Sequence, residues 1–199
     1  MEVDKTEVYQ GEPLLLKNQL WRISHRYIQS GPIRGSLIVP PSTEGFYVTY
    51  LEPVSYVDQH KNWNYDVSEE RKVLYPTAIG DLRIGQWHWE GVALVYSGQL
   101  ARRNRFTYSL NAGPIKIKVK PLPPRPAGFS GAVGQFEMTA DFNAQVLKQG
   151  VPTKLHVTVA GTGNPDAIGE PVLAEMTWAQ LYEPQRKTDV QVSAQKPYP

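Results

Sequence analysis

The chain has 199 residues, 41% of them hydrophobic, and a formal net charge of +2. That length holds one or two domains, that apolar fraction builds a core, and so weak a charge argues against a nucleic-acid partner. Cysteine is absent, which excludes disulfides, thiolate chemistry and cysteine-ligated zinc.

No apolar run approaches the roughly 20 residues that a membrane helix needs. Met1 is followed at once by the charged run EVDKTE, which does not read as a signal peptide; Met1 is expected to open a mature segment. From there, strand patterns dominate. VYQGEPLLLKNQL (8–20) reads as a strand, a Gly-x-Pro turn and a longer strand. FYVTYL (46–51) and FTYSL (106–110) are rich in aromatic and β-branched residues, which favour pleated surfaces. GQWHWEGVALVY (85–96) reads as one or two strands. PIKIKVKP (114–121) alternates, with Ile115, Ile117 and Val119 on one face and Lys116, Lys118 and Lys120 on the other, the mark of a half-buried strand. TKLHVTVAG (153–161) repeats the pattern with Leu155, Val157 and Val159, and places His156 on the wet face. TWAQLYEP (177–184) is read as either a helical turn or an extended segment. Seventeen prolines and 16 glycines punctuate these runs, as turns between short strands require. Short strands at such spacing argue for antiparallel sandwiches.

The order of elements occurs twice. VYQGEPLLLKNQL resembles LKQGVPTKLHVTV (147–159), and GFYVTYLEP (45–53) echoes TWAQLYEP (177–184). Two related domains are therefore expected, with residues 1–120 forming the first and 129–199 the second. Between them, PLPPRPA (121–127) is stiff, extended and poor in N–H donors. The joint is placed at 121–128, and the residues expected to form it and to lead into the second domain are Pro121, Pro123, Pro124, Gly128, Phe129, Ser130, Gly131 and Gly134. Glu52-Pro53 and Glu183-Pro184 fix an offset of 183 − 52 = 131; the same offset carries Leu74 to position 205, past Pro199, so the second domain is expected to be truncated.

The candidate chemistry is thin. GFSGA (128–132) approaches the Gly-x-Ser-x-Gly nucleophile elbow, but Ala132 replaces the last glycine and no strand precedes it or helix follows it. GTGNPDAIG (161–169) holds Gly-x-Gly without a following helical pattern, so a turn leaving a strand is the better reading, with Asn164 extended before Pro165. His25, His60, His88 and His156 show no metal-ligand spacing, so neither metal nor cofactor is expected. ARRNR (101–105) reads as solvated charge at a hairpin end. The aromatic residues Trp63, Tyr65, Trp87 and Trp89 suit either a sugar-stacking or interaction surface or, as the favoured reading, a tryptophan face packed in the core.

VYQGEPLLL (8–16), LYPTAIGDLRI (74–84), KVKPLPPRPAGFSGAVGQFEM (118–138) and GVPTKLHVTVAGTGNP (150–165), in that order, resemble the BatD family, the oxygen-tolerance proteins of bacterial aerotolerance operons. The most specific portion is PLP followed by GFSGAVG and, some thirty residues on, a strand ending in Gly-x-Gly-Asn. The resemblance implies a series of immunoglobulin-like domains on the periplasmic face of the cytoplasmic membrane, in a parent protein anchored by a C-terminal helix. It implies partners among the von Willebrand A-domain, tetratricopeptide and MoxR-type ATPase proteins encoded alongside, and no enzymatic activity. The expectation is an all-β chain of two tandem immunoglobulin-like β-sandwich domains that acts as a non-enzymatic scaffold, with no catalytic residues and no nucleic-acid partner. The alternative is a carbohydrate-binding β-sandwich that uses exposed tryptophan and tyrosine.

Overall fold

The computed structural model describes residues 1–25, 28–31, 37–97, 102–144, 146–173 and 176–189. The chain is all-β. It divides into two compact units, one from Met1 to Leu122 apart from Gly11–Pro13, the other from Pro123 onward together with Gly11–Pro13.

In the first unit, β1 (Glu2–Val3) lies beside β3 (Leu14–Ile23), and β3 pairs with β8 (Trp63–Pro76). Two strands share the far side of β8: β6 (Phe46–Tyr50) beside its second half and β7 (Val54–His60) beside its first. The opposing strands are β2 (Glu7–Tyr9), β12 (Ile115–Lys120) and β9 (Gly80–Ile84), with β2 parallel to β12. A further sheet holds β10 (Trp87–Ser97) between β11 (Arg102–Ala112) on one side and β4 (Ile28–Gly31) and β5 (Ile38–Val39) on the other. The β9–β12 and β10–β11 ladders keep one register. From Gly80↔Val119 to Ser97↔Arg102 the two numbers of each partner pair total 199. Gly85-Gln86 and Gly113-Pro114 therefore interrupt one long antiparallel ribbon without shifting it.

The core follows from alternation. Leu14, Leu16 and Leu74 point from the first sheet, and Val8, Ile84, Ile117 and Val119 meet them from the second; all are buried. Lys116 and Lys118 take the wet face of β12, where Lys118 and Lys120 reach Glu7 at 3.9 and 2.8 Å. These bridges hold the short parallel edge strand by charge as well as by backbone, but their exposure keeps each contribution small. Among the described residues two buried positions break the apolar rule, Lys72 and Asn18, and neither amide atom of Asn18 has a hydrogen-bond partner. Burying an unpaired amide costs about 1–3 kcal/mol.

The further sheet has its own buried aromatic. Trp89 is 2% exposed and lies against Tyr108 at 5.3 Å between ring centroids. A methyl group on Gly91, two residues on and on the same face, would run into the Trp89 six-membered ring. Glycine at 91 therefore lets the indole fold flat over its own strand.

The second unit holds β13 (Gly134–Phe142) and β14 (Leu155–Gly163), paired antiparallel from Gly134↔Gly163 to Phe142↔Leu155. Phe136, Met138, Ala140 and Phe142 share a face with Leu155, Val157 and Val159; His156 sits on the opposite face and is exposed. Gly134 packs its Cα where any Cβ would meet the Thr162 carbonyl. The NPDA segment forms a 3-10 turn over Pro165–Ala167, capped by the Asn164 side chain, which accepts from the Asp166 N–H at 3.0 Å. Asn164 itself is extended.

The internal repeat is partly a structural one. Gln10-Gly11 and Gln149-Gly150 make the same turn, with φ of +79° at both glycines, and each leads through a proline into a long strand. The second echo does not extend into structure. Phe46–Tyr50 is a strand because β8 supplies its ladder, whereas residues 177–184 form neither strand nor helix and leave Trp178 and Tyr182 exposed. Likeness of side chains alone does not form a strand where no partner strand is beside it.

Candidate functional site

β6 and β7 are one edge interrupted. The pairs of β6 with β8 total 122, as in Val48↔Leu74, and those of β7 total 123, as in Tyr56↔Val67. Three residues, Leu51, Glu52 and Pro53, thus stand opposite two, Glu70 and Arg71, in a β-bulge. The Leu51 N–H donates to the Arg71 carbonyl at 3.1 Å, and Arg71 Nη2 donates to the Glu52 carbonyl at 3.2 Å. An extra residue inverts the alternation beyond it. Val48 therefore faces the leucine core, while Tyr56 joins the outer face of the sheet beside Trp21 and Val67.

That outer face is where aromatic residues gather. Trp21 and Tyr65 meet edge to face at 5.7 Å and 66°, and His25 meets Trp63 at 5.7 Å and 65°. Trp21 is 39% and Trp63 47% exposed, while Val67, directly opposite both Trp21 and Tyr56, is 1% exposed beneath them. Gln19 organises the polar groups beside the rings. Its amide nitrogen donates to Glu69 Oε2 at 2.7 Å and to the Tyr56 hydroxyl at 3.2 Å, and its carbonyl accepts from Trp21 Nε1 at 3.2 Å. Arg71 Nε lies 3.8 Å from Glu69 Oε1. Burial, followed by the negative charges of Glu69, Asp58 and Glu2, raises the Tyr56 pKa above its usual value of 10.0. The phenol therefore keeps its proton at neutral pH and shares it with Glu69 in a hydrogen bond that also raises its pKa.

Of the four aromatic residues singled out in the sequence, Trp63 and Tyr65 belong to this face. Trp87 and Trp89 belong to β10 in another sheet, and Trp89 is buried, so the four do not form a single exposed row. The burial of Trp89 agrees with the packing role expected for one tryptophan face. Trp21, Gln19 and Tyr56 were not singled out. Trp21 and Gln19 carry the same odd-position alternation along β3 as Leu15 and Lys17; Tyr56 depends on the bulge, which no periodicity reveals.

The joint residues lie elsewhere. Pro121, Pro123, Pro124, Gly128, Ser130, Gly131 and Gly134 are exposed and Phe129 is half-buried. Gly128 and Gly131 take φ of +78° and +102°, in the region that favours glycine, and the Phe129 N–H donates to the Pro126 carbonyl at 3.2 Å. The Ser130 hydroxyl accepts from the Ala132 N–H at 3.3 Å, and the regular element after it is the strand β13, so no strand–turn–helix elbow surrounds this serine. With Ala132, Phe136, Met138, Val159 and Ile168, Ser130 lines an open, mainly apolar groove of about 310 Å³. Among the described residues, no three His, Cys, Asp or Glu side chains are grouped to hold a metal, and no helix is long and apolar enough to cross a membrane. Ala101 of the basic cluster lies outside the described residues.

No family model, no curated protein and no solved structure matches the chain.

Proposed function

We propose that the chain is a non-enzymatic, immunoglobulin-like interaction module of a BatD-like aerotolerance protein, acting at the periplasmic face of the cytoplasmic membrane, and that its second unit docks a strand of a protein partner. The resemblance of residue order supports the family, compartment and operon-encoded partners. The observation that carries the docking mode is the β13–β14 ribbon. Among the described residues these strands pair only with each other, and Met138 is 65% exposed on their apolar face. The two edges differ. β13 presents Glu137 and Asp141, charges of the kind that discourage strand pairing. β14 runs LHVTVAGTG with no acidic residue, lysine, arginine or proline. An unguarded, β-branched edge next to open apolar surface suits strand addition, in which the backbone supplies the hydrogen bonds and alternate side chains supply the fit.

Amide exchange of the chain with and without the von Willebrand A-domain protein encoded beside it tests the reading. Protection of the amides of β14, with binding weakened at least tenfold by Thr158→Pro, is the expected result. Equal exchange in the presence of that protein, or binding indifferent to the proline, would refute this docking mode.

A further inference from the structure

The outer face of the first sheet lies on a different unit from β14 and does not depend on the docking mode above. It combines two half-exposed indoles, Trp21 and Trp63, with a row of hydrogen-bonding groups set by Gln19. We propose that this face is a platform for a neutral glycan, with Trp21 and Trp63 stacking on sugar rings and with Tyr56 and Glu69 hydrogen-bonding sugar hydroxyls.

The ring arrangement favours stacking at Trp21. Its indole N–H is held by Gln19, two residues back on the same strand and face, so the ring is steered along the sheet. Val67, its cross-strand neighbour, is fully covered, while the indole keeps its own exposure. A ring fixed in this way offers a hydrophobic face at little cost in ordering entropy. The C–H face of a pyranose is the complement of such a surface, and its equatorial hydroxyls project at the rim.

The polar groups select the ligand class. The Tyr56 hydroxyl accepts from Gln19 and is hydrogen-bonded to Glu69, and both the phenol oxygen and the Glu69 carboxylate have lone pairs beyond these contacts. Two such acceptors close together suit hydroxyl groups, which can donate to them. The charges do not suit a highly charged polymer. The ladder positions on this face bring together the carboxylates of Glu2, Asp58 and Glu69 and the cations of Lys17 and Arg71, signs that nearly cancel. A polyanion would meet three carboxylates, and a polycation two positive groups. A glycan without charge meets neither penalty.

Titration of the chain with chitohexaose and with cellohexaose, followed by isothermal calorimetry and tryptophan fluorescence, tests the proposal. Saturable binding of at least one is expected, weakened at least tenfold by Trp63→Ala and several-fold by Tyr56→Phe, and unchanged by Trp178→Ala in the second unit. Trp63 lies at a strand end and Tyr56→Phe removes only a hydroxyl, so these variants keep the test open if Trp21→Ala disturbs the covered Val67. Circular dichroism and a melting curve confirm that each variant is folded. No saturable binding to either sugar overturns the proposal. So does binding indifferent to Trp63 and Tyr56, or tighter binding of a proline-rich peptide than of both sugars at the same residues.

Discussion

His88 stands half-exposed on β10 with an acceptor at each ring nitrogen: Asn111 Oδ1 at 2.7 Å from Nδ1 and Glu90 Oε1 at 3.3 Å from Nε2. Only the imidazolium can donate to both. The hydrogen bond to Asn111, followed by that to Glu90, raises the His88 pKa above 6.5, and desolvation opposes them weakly. The stabilisation from this group is complete below the unfolded-state pKa and is lost as the pH rises through the higher folded-state value. A proton NMR titration of the folded chain is expected to place His88 above 6.5, and Glu90→Gln to bring it down. A His88 pKa at or below 6.5 would mean that the ring is neutral and engages only one of the two acceptors. The sequence WHWE shows that His88 and Glu90 share a face, but the partner across the ladder, Asn111, is 23 residues away and appears only once the register is known.

Single strands differ in how much of their placement the sequence carries. KIKVK alternates without interruption, so its buried and solvent faces follow from period two, and Ile117, Val119, Lys116 and Lys118 lie accordingly. The β6–β7 edge does not, because the inversion at Leu51–Pro53 comes from a count of residues against a strand that is not adjacent in sequence. Glu52-Pro53 offers only the hint that proline interrupts a ladder. Deleting Glu52 restores a two-against-two match that leaves Val54 opposite Glu69 and Tyr56 opposite Val67, so Tyr56 stays on the outer face and Val57 on the core side. The Gln19–Tyr56 contact is then retained, and the deletion is expected to cost the first unit no more than about 1 kcal/mol in urea unfolding, from closing the bulge. A Glu52→Ala substitution keeps the bulge and is expected to stay within about 0.5 kcal/mol of the parent, since the Glu52 group that binds Arg71 is its backbone carbonyl. A loss of several kcal/mol on deletion would instead show that β7 slips by one residue against β8 and turns Tyr56 towards the core side.

Across the whole chain, apolar burial is uneven, and this sets where the molecule opens first. In the first unit β8 is hydrogen-bonded along both edges, to β3 through ten residue pairs and to β6 and β7 on the other side, over a core of fully buried Leu14, Leu16, Leu74, Ile84 and Ile117. In the second unit every residue of β13 is exposed and alternate residues of β14 are only half-buried. Among the described residues each of these strands has one ladder instead of two, and a two-stranded ribbon is marginally stable in water. Amide protection follows the free energy of the smallest opening that frees the N–H. β13 and β14 are therefore expected to exchange at least about a hundredfold faster than the centre of β8, a gap of about 3 kcal/mol, with exchange of the ribbon nearly independent of low urea concentrations because little apolar surface is newly uncovered. Native-state exchange read residue by residue checks this. Exchange of Val157 and Thr158 at the rate of Val73 and Leu74, with the same urea dependence, would show that the two units unfold as one and that the ribbon borrows its stability from the first. The two proposed surfaces have opposite demands in this respect: the aromatic platform needs the rigid β3–β8 backing to hold its rings, whereas strand addition at β14 gains by ordering a ribbon that lacks a second ladder, and adding a partner should slow exchange in β14 while leaving β8 unchanged.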